Sequence, residues 1–181
     1  MTLRTLTITT ILLLGLTALT GCVSRYDLDL FLVRGETSKE VKIDRTEFIK
    51  DGVLNVPTAR EKIVPGSGNC LVIHTGTRGE TVAADAEDLL QWDKYLQFDI
   101  FIQLASRVEP TSINLVNNSY VLLVGEYDRP LAERVFSAED GTVVIDSIPN
   151  DFLYASINSV FVNPIDDTVR FAGDFRVRIE N

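Results

Sequence analysis

Residues 96–104 read LQFDIFIQL, with Leu96, Phe98, Ile100, Ile102 and Leu104 on one side of the chain and Gln97, Asp99 and Gln103 on the other. A repeat of two belongs to a β-strand, whose successive side chains point to opposite faces, so this segment buries one face and wets the other. Residues 26–34, YDLDLFLVR, repeat the pattern, with Tyr26, Leu28, Leu30 and Leu32 opposite Asp27 and Asp29. Further apolar runs of strand length are VKI, CLVIHT, INLV, SYVLLVGEY, RVFS, GTVVIDSI, LYASINSVFV and VRFAGDFRVRI. Clusters of turn formers lie between them, including PGSGN, VNNS, AEDG, IPND and NPIDD. Short strands punctuated in this way predict a mainly β fold, an antiparallel β-sandwich or barrel-like domain.

One segment departs from the alternation. Residues 84–96, ADAEDLLQWDKYL, place Ala86, Leu89, Leu90, Trp92 and Leu96 close to helical spacing. Asp85 followed by Asp88 resembles a capping box, and acids in a first turn suit the helix dipole. The expectation is one short helix that leans on the sheet or closes one end of it.

A chain of 181 residues suits one domain, and 45% hydrophobic residues suffice for a sizeable core. Acidic residues number 26 against 17 basic, a formal charge of −9. That balance argues against nucleic acid, which is held by clustered Lys and Arg, and against electrostatic adhesion to anionic lipid heads.

The N-terminus has the parts of an export signal. Arg4 supplies a positive start, and residues 6–19, LTITTILLLGLTAL, carry no charge. An uncharged run of roughly 15 residues falls short of the ~20 that span a bilayer as a helix. Small residues then precede a cysteine: Leu19-Thr20-Gly21-Cys22. This quartet resembles the lipobox of bacterial lipoprotein signal peptides. The resemblance implies that residues 1–21 are cleaved, that the Cys22 sulfur is lipid-modified, and that the new N-terminus is acylated with a palmitate-type chain. At about 0.8 kcal/mol per buried CH₂, one chain binds marginally, whereas two or three anchor stably. Residues 22–25 would then be a short tether and residues 26–181 a single β-rich domain. Val23, after the cysteine, favours an outer-membrane address facing the periplasm, with the inner membrane and the cell surface as alternatives. The mature chain would keep one cysteine, Cys70, and so no intramolecular disulfide, leaving the core to hold the fold. The ending VRFAGDFRVRIEN resembles the Phe-x-Gly-x-Phe closing strand of small secreted β-sandwich lipoproteins, in which Gly173 would mark a bulge or a close approach.

Catalytic constellations are thin. The chain has one histidine, His74, on the same strand face as Cys70 and Val72. Residues four apart on a strand are roughly 13 Å apart, too far for proton transfer. No Gly-x-Ser-x-Gly elbow occurs, and any triad would have to use His74. HTGTRGET, residues 74–81, lacks the Gly-Lys-Ser/Thr ending of a phosphate-binding loop. One histidine and one thiol cannot furnish a structural zinc site. Asp166-Asp167, Glu139-Asp140 and Asp85-Glu87-Asp88 are candidate calcium donors, but none has EF-hand spacing, and adjacent acids in β-turns commonly serve as turn formers and solvated charges. Asn117-Asn118-Ser119 fits a glycosylation acceptor and reads more simply as a hairpin turn.

The reading that follows is a lipid-anchored envelope lipoprotein with a non-enzymatic binding or structural domain. Its expected partners are the membrane, through Cys22, and an envelope protein or saccharide; no cofactor or catalytic residue is assigned. A carrier or sensor of a small apolar or saccharide ligand is the alternative, with Trp92, Tyr95, Phe98, Phe101 and Tyr120 as its aromatic lining. An unrecognised hydrolase built on His74 comes third.

Overall fold

The computed structural model describes residues 30–34, 37–77, 97–124 and 129–179, with the backbone alone for 30–41 and 77. The expected signal at 1–21, the tether, Cys22, and the helix at 84–96 with Trp92 and Tyr95 lie outside the described residues. Among the described residues, eleven strands and one short helix follow in order. They are β1 (Leu30–Arg34), β2 (Thr37–Ile49), β3 (Gly52–Leu54), β4 (Ile63–Pro65), β5 (Asn69–Thr77) and β6 (Gln97–Leu104). After these come β7 (Thr111–Asn114), β8 (Ser119–Val124), α1 (Leu131–Arg134), β9 (Val135–Ser147), β10 (Phe152–Val162) and β11 (Thr168–Arg178).

The alternation dictates the architecture. Phe98, Ile100, Ile102 and Leu104 of β6 are buried on one face, as are Leu71 and Ile73 of β5 and Val121 and Leu123 of β8. A sheet with one apolar face must cover it, and this one does so by curling. Antiparallel pairings run β10-β11-β1-β2-β5-β6-β8-β9, and β9 pairs again with β10, so the sheet nearly closes as a barrel. Closure also deals with sheet edges, which otherwise offer unpaired N–H and C=O groups to other chains.

The interior is filled from every side. Phe161, Phe171 and Phe175 are fully buried with Leu71, Ile73, Ile100, Ile102, Leu115, Leu153 and Ile157. Phe98, Phe136, Phe161 and Phe171 meet edge to face, with ring centroids 5.7–6.5 Å apart, the geometry that sets a ring's positive edge against its neighbour's negative face.

Three sequence expectations change in detail. Residues 138–141, AEDG, do not turn the chain; β9 runs straight through them. Gly141 sits there at φ +133°, where a Cβ would lie 2.5 Å from the Ser159 Cα, and the β9–β10 register shifts between Val160 and Phe161. The glycine therefore makes a bend inside a strand. Nor does VNNS close a hairpin. β7 and β8 do not pair; both lie along β9, and the loop between them interrupts one edge. Leu115 in that loop is fully buried, its N–H donates to the Gly141 carbonyl at 3.0 Å, and Asn117 takes a left-handed φ of 66°. β2 extends far beyond VKI because its register shifts between Ile43 and Arg45, which moves the alternation to the other face and hides it from a period-two reading. Gly173 takes a φ of +146°, and the register of β11 with β10 continues unbroken through it, so it marks no bulge between those strands.

Two barrel ends follow from the strand directions. One carries the end of β2, the start of β5, the 105–110 loop and residues 148–151; the other carries the 163–167 loop. Because Phe171 touches two aromatic neighbours at the centre, Phe171→Ala is expected to cost about 3–5 kcal/mol, read as a lower urea midpoint with cooperative unfolding retained.

Candidate functional site

The concave feature at the first end is a cleft of about 460 Å³. Phe48, Val108, Ile148 and Ile179 give it apolar walls, and Lys50, Arg107 and Asp151 bring charge to it. Its floor is ordered by Asn69, which is buried: the amide donates to the Ala105 and Ser106 carbonyls at 2.8 and 3.0 Å, and its oxygen accepts from the Asp51 N–H at 3.3 Å. Asn69 thus ties the start of β5 to the 105–110 loop. A mixed lining of this kind, apolar walls with a few placed cations and amides, suits an amphiphilic or polar surface group better than a wholly apolar molecule. Sequence reading missed the cleft, since its residues come from five separated loops and strand ends.

Outside the barrel wall, a second apolar cluster joins Val72, Phe101, Tyr120 and Val135 to Ile49, Leu54, Ile63, Leu122 and Leu131. The β3–β4 hairpin and α1 contribute the covering residues Leu54, Ile63 and Leu131. Phe101 and Tyr120 stack beneath, with centroids 4.7 Å apart and planes at 20°. Gln103 fastens the hairpin to the wall. Its oxygen accepts from the Leu54 N–H at 2.7 Å, and its amide reaches the Gly52, Asn69 and Leu104 carbonyls at 3.2, 2.9 and 3.1 Å.

Cys70 lies under this clasp, fully buried, with its sulfur 3.8 Å from the Gln103 oxygen. Burial pushes its thiol up to about 11. Burial, followed by the charges of Cys70 and Asp99, raises the Tyr120 hydroxyl well above the ordinary phenol range. A thiol held protonated in this way is a small hydrophobe rather than a nucleophile. Beside it, burial and the nearby Arg134 hold the Lys62 ammonium below its usual value, and Lys62 Nζ donates to the Pro57 and Ala59 carbonyls.

His74 sits further along the same outer face. Its Nδ1 is 2.7 Å from Asp99 Oδ1, while Nε2 is 3.3 Å from both Glu47 Oε1 and Arg45 Nη2. Arg45 and Glu47 are themselves paired at 2.6 Å. An Asp–His contact of this length is the orienting half of a hydrolytic triad, but a triad needs Nε2 directed at a hydroxyl or thiol. Here Nε2 faces a carboxylate and a guanidinium, and Cys70 pairs across to Gln103 in place of joining His74. Asp99 and Glu47 become partners of His74 only through strand pairing, so no local motif announced them.

The carboxylate pairs also have local roles. Asp140 accepts from the Gly141 N–H at 2.8 Å, and Asp167 pairs with Arg129 at 3.5 Å. Among the described residues, no group of three His, Cys, Asp or Glu side chains is placed to hold a metal ion. Of the aromatics expected to line a ligand site, Phe98 belongs to the interior, and Phe101 and Tyr120 lie under the hairpin. Neither group borders the cleft.

The raised values at Cys70 and Tyr120 belong to groups that become anions. The fold therefore favours their protonated forms, and stability should be intact below the ordinary thiol value of 9.0 and fall as pH rises towards about 11. Gln103→Ala should cost about 1–3 kcal/mol through the orphaned Leu54 N–H and neighbouring carbonyls. Cys70 labelling by a thiol reagent near pH 8 should be slow in the native protein and clearly faster in this variant.

Comparison with protein-family models, with curated proteins and with solved structures finds no match.

Proposed function

We propose that the chain is a lipid-anchored lipoprotein of the bacterial envelope, held by Cys22, whose barrel is a non-enzymatic binding or structural domain. The outer membrane facing the periplasm is the favoured address. The observation that carries the reading is the joining of a lipobox-like Leu19-Thr20-Gly21-Cys22 to a barrel whose interior is filled with side chains. The polar groups with chemical potential support the same reading. His74 is engaged on both nitrogens by the wall, and the Cys70 thiol is buried and protonated. What remains for contact with another molecule is the outer surface, and its most differentiated part is the cleft with Lys50 and Arg107. An envelope protein or a saccharide is the class of partner such a mixed lining suits. A carrier function would have to use this cleft, because the barrel's interior volume is taken up by its own phenylalanines and aliphatic residues.

Metabolic labelling with an alkyne fatty acid, followed by cell fractionation, tests the anchor. The full chain should be labelled, should migrate at the processed size and should sediment with membranes. Cys22→Ala should lose the label and leave the signal uncleaved. A processed, unlabelled and freely soluble wild-type protein would contradict the reading.

A further inference from the structure

The cleft at the end of the barrel is walled by apolar side chains that the core leaves half covered. Phe48, Val108, Ile148 and Ile179 all pack against the interior cluster, and all four border the cleft. Two of the segments that shape it are fixed. Asn69 ties down the Ala105 and Ser106 carbonyls, and Asn150 and Asp151 take successive left-handed φ values of 51° and 63°. That turn is held by the Phe152 N–H on the Pro149 carbonyl at 3.0 Å and by the Ile179 N–H on the Asp151 carbonyl at 2.8 Å. A site shaped in advance loses little to ordering when a ligand enters it.

The lining separates into apolar walls and a polar rim. The four apolar side chains are half-buried, whereas Lys50, Ser106, Arg107, Asn150 and Asp151 are exposed. Asn69 is the buried polar side chain of the lining, and both its amide nitrogen and its oxygen are in use. Between the walls, then, no side-chain donor or acceptor is to spare. A sugar ring carries hydroxyls all round, and those turned to the walls would leave water without finding a partner, which is costly. An apolar side chain gives up no hydrogen bond there. A long acyl chain has no path inwards, because the barrel's interior is occupied by its own side chains.

The rim sets a second requirement. Lys50 has no ion-pair partner among the described residues. Arg107 meets only Glu109, with Nε 3.6 Å from Oε2 and side chains 87% and 61% exposed, a contact of small worth in water. Asp151 is the acid of the lining. Two cations against one acid, in a chain of formal charge −9, suit an incoming carboxylate. The groove of about 330 Å³ along the seam between β2 and β11 differs in this respect: Arg45 there is paired with Glu47, and Thr46 Oγ1 donates to the Arg176 carbonyl.

We propose that the cleft receives a segment of a partner protein, seating one apolar side chain among Phe48, Val108, Ile148 and Ile179 and setting a neighbouring carboxylate against Lys50 and Arg107. This rests on the reading of the cleft as the contact site of a binding domain, and it narrows the partner from protein or saccharide to protein. The main chain of such a segment stays at the rim, where Ser106, Asn150 and Asp151 supply polar groups to its amides.

Chemical-shift titration of the full chain in non-ionic detergent tests it, with N-acetyl-phenylalanine, its uncharged primary amide, octanoate and N,N′-diacetylchitobiose as probes. N-acetyl-phenylalanine should shift the backbone amides of Ser106, Val108 and Asn150 saturably. Its amide should bind the same place about two- to fivefold more weakly, the worth of an exposed charge pair. Lys50→Glu should weaken the acid at least about threefold and bring it level with the amide, while Lys50→Arg should keep most of the difference. Lys50 is exposed, so resonances away from the cleft should stay unchanged in both variants. Equal binding of acid and amide by the wild-type chain would overturn the proposal. Octanoate bound more tightly than N-acetyl-phenylalanine would overturn it in favour of a fatty acid. Shifts from the disaccharide alone would overturn it and leave the cleft as the contact site, whereas shifts from none of the probes would overturn it together with that reading.

Discussion

The return of β9 to β10 is the pairing on which the rest of the molecule depends. It turns one long antiparallel sheet into a ring, and the ring has room inside only for its own side chains. Four aromatic rings in edge-to-face contact and the aliphatic residues around them occupy the axis. Cys70, the cysteine among the described residues, is free and buried, so packing and not a disulfide holds the described strands in place. It also restricts function, because a barrel filled in this way works by its ends and its outer wall.

The outer wall is specialised accordingly. One sector is sealed by the β3–β4 hairpin, which Gln103 clasps over Cys70 with two hydrogen bonds to β3 while two more tie its amide to the wall. A neighbouring sector carries the Arg45, Glu47, His74 and Asp99 cluster, an ion network in which the partners satisfy one another. The seam between β2 and β11 and the cleft at one end are the sectors that remain shaped for contact. Both open on the half of the barrel that carries the ends of β2 and β11.

Much of the fold was legible in the sequence because burial on one face writes itself as alternation. LQFDIFIQL became β6 with its even-numbered residues inside, and CLVIHT, LYASINSVFV and VRFAGDFRVRI became central strands. The errors came where one residue resets the period. The shift near Asp44 moved the alternation of β2 to the opposite face, and Gly141 let β9 bend through a stretch composed like a turn. Barrel and sandwich were not separable beforehand, since the choice depends on the β9–β10 pairing and not on any one strand. The cleft and the partners of His74 were illegible for a related reason: their residues are distant in sequence and meet only through register.

The proposed function requires the barrel to act through contact at its cleft end and not through chemistry within the wall. Photo-cross-linking in living cells tests it most directly, with a photoreactive amino acid placed either at Ser106, on the cleft, or at Ile165, on the opposite loop. One reproducible cross-linked envelope component is expected from position 106 and none of it from position 165. The same component captured from 165 and not from 106, or no cross-link from either position, would contradict it.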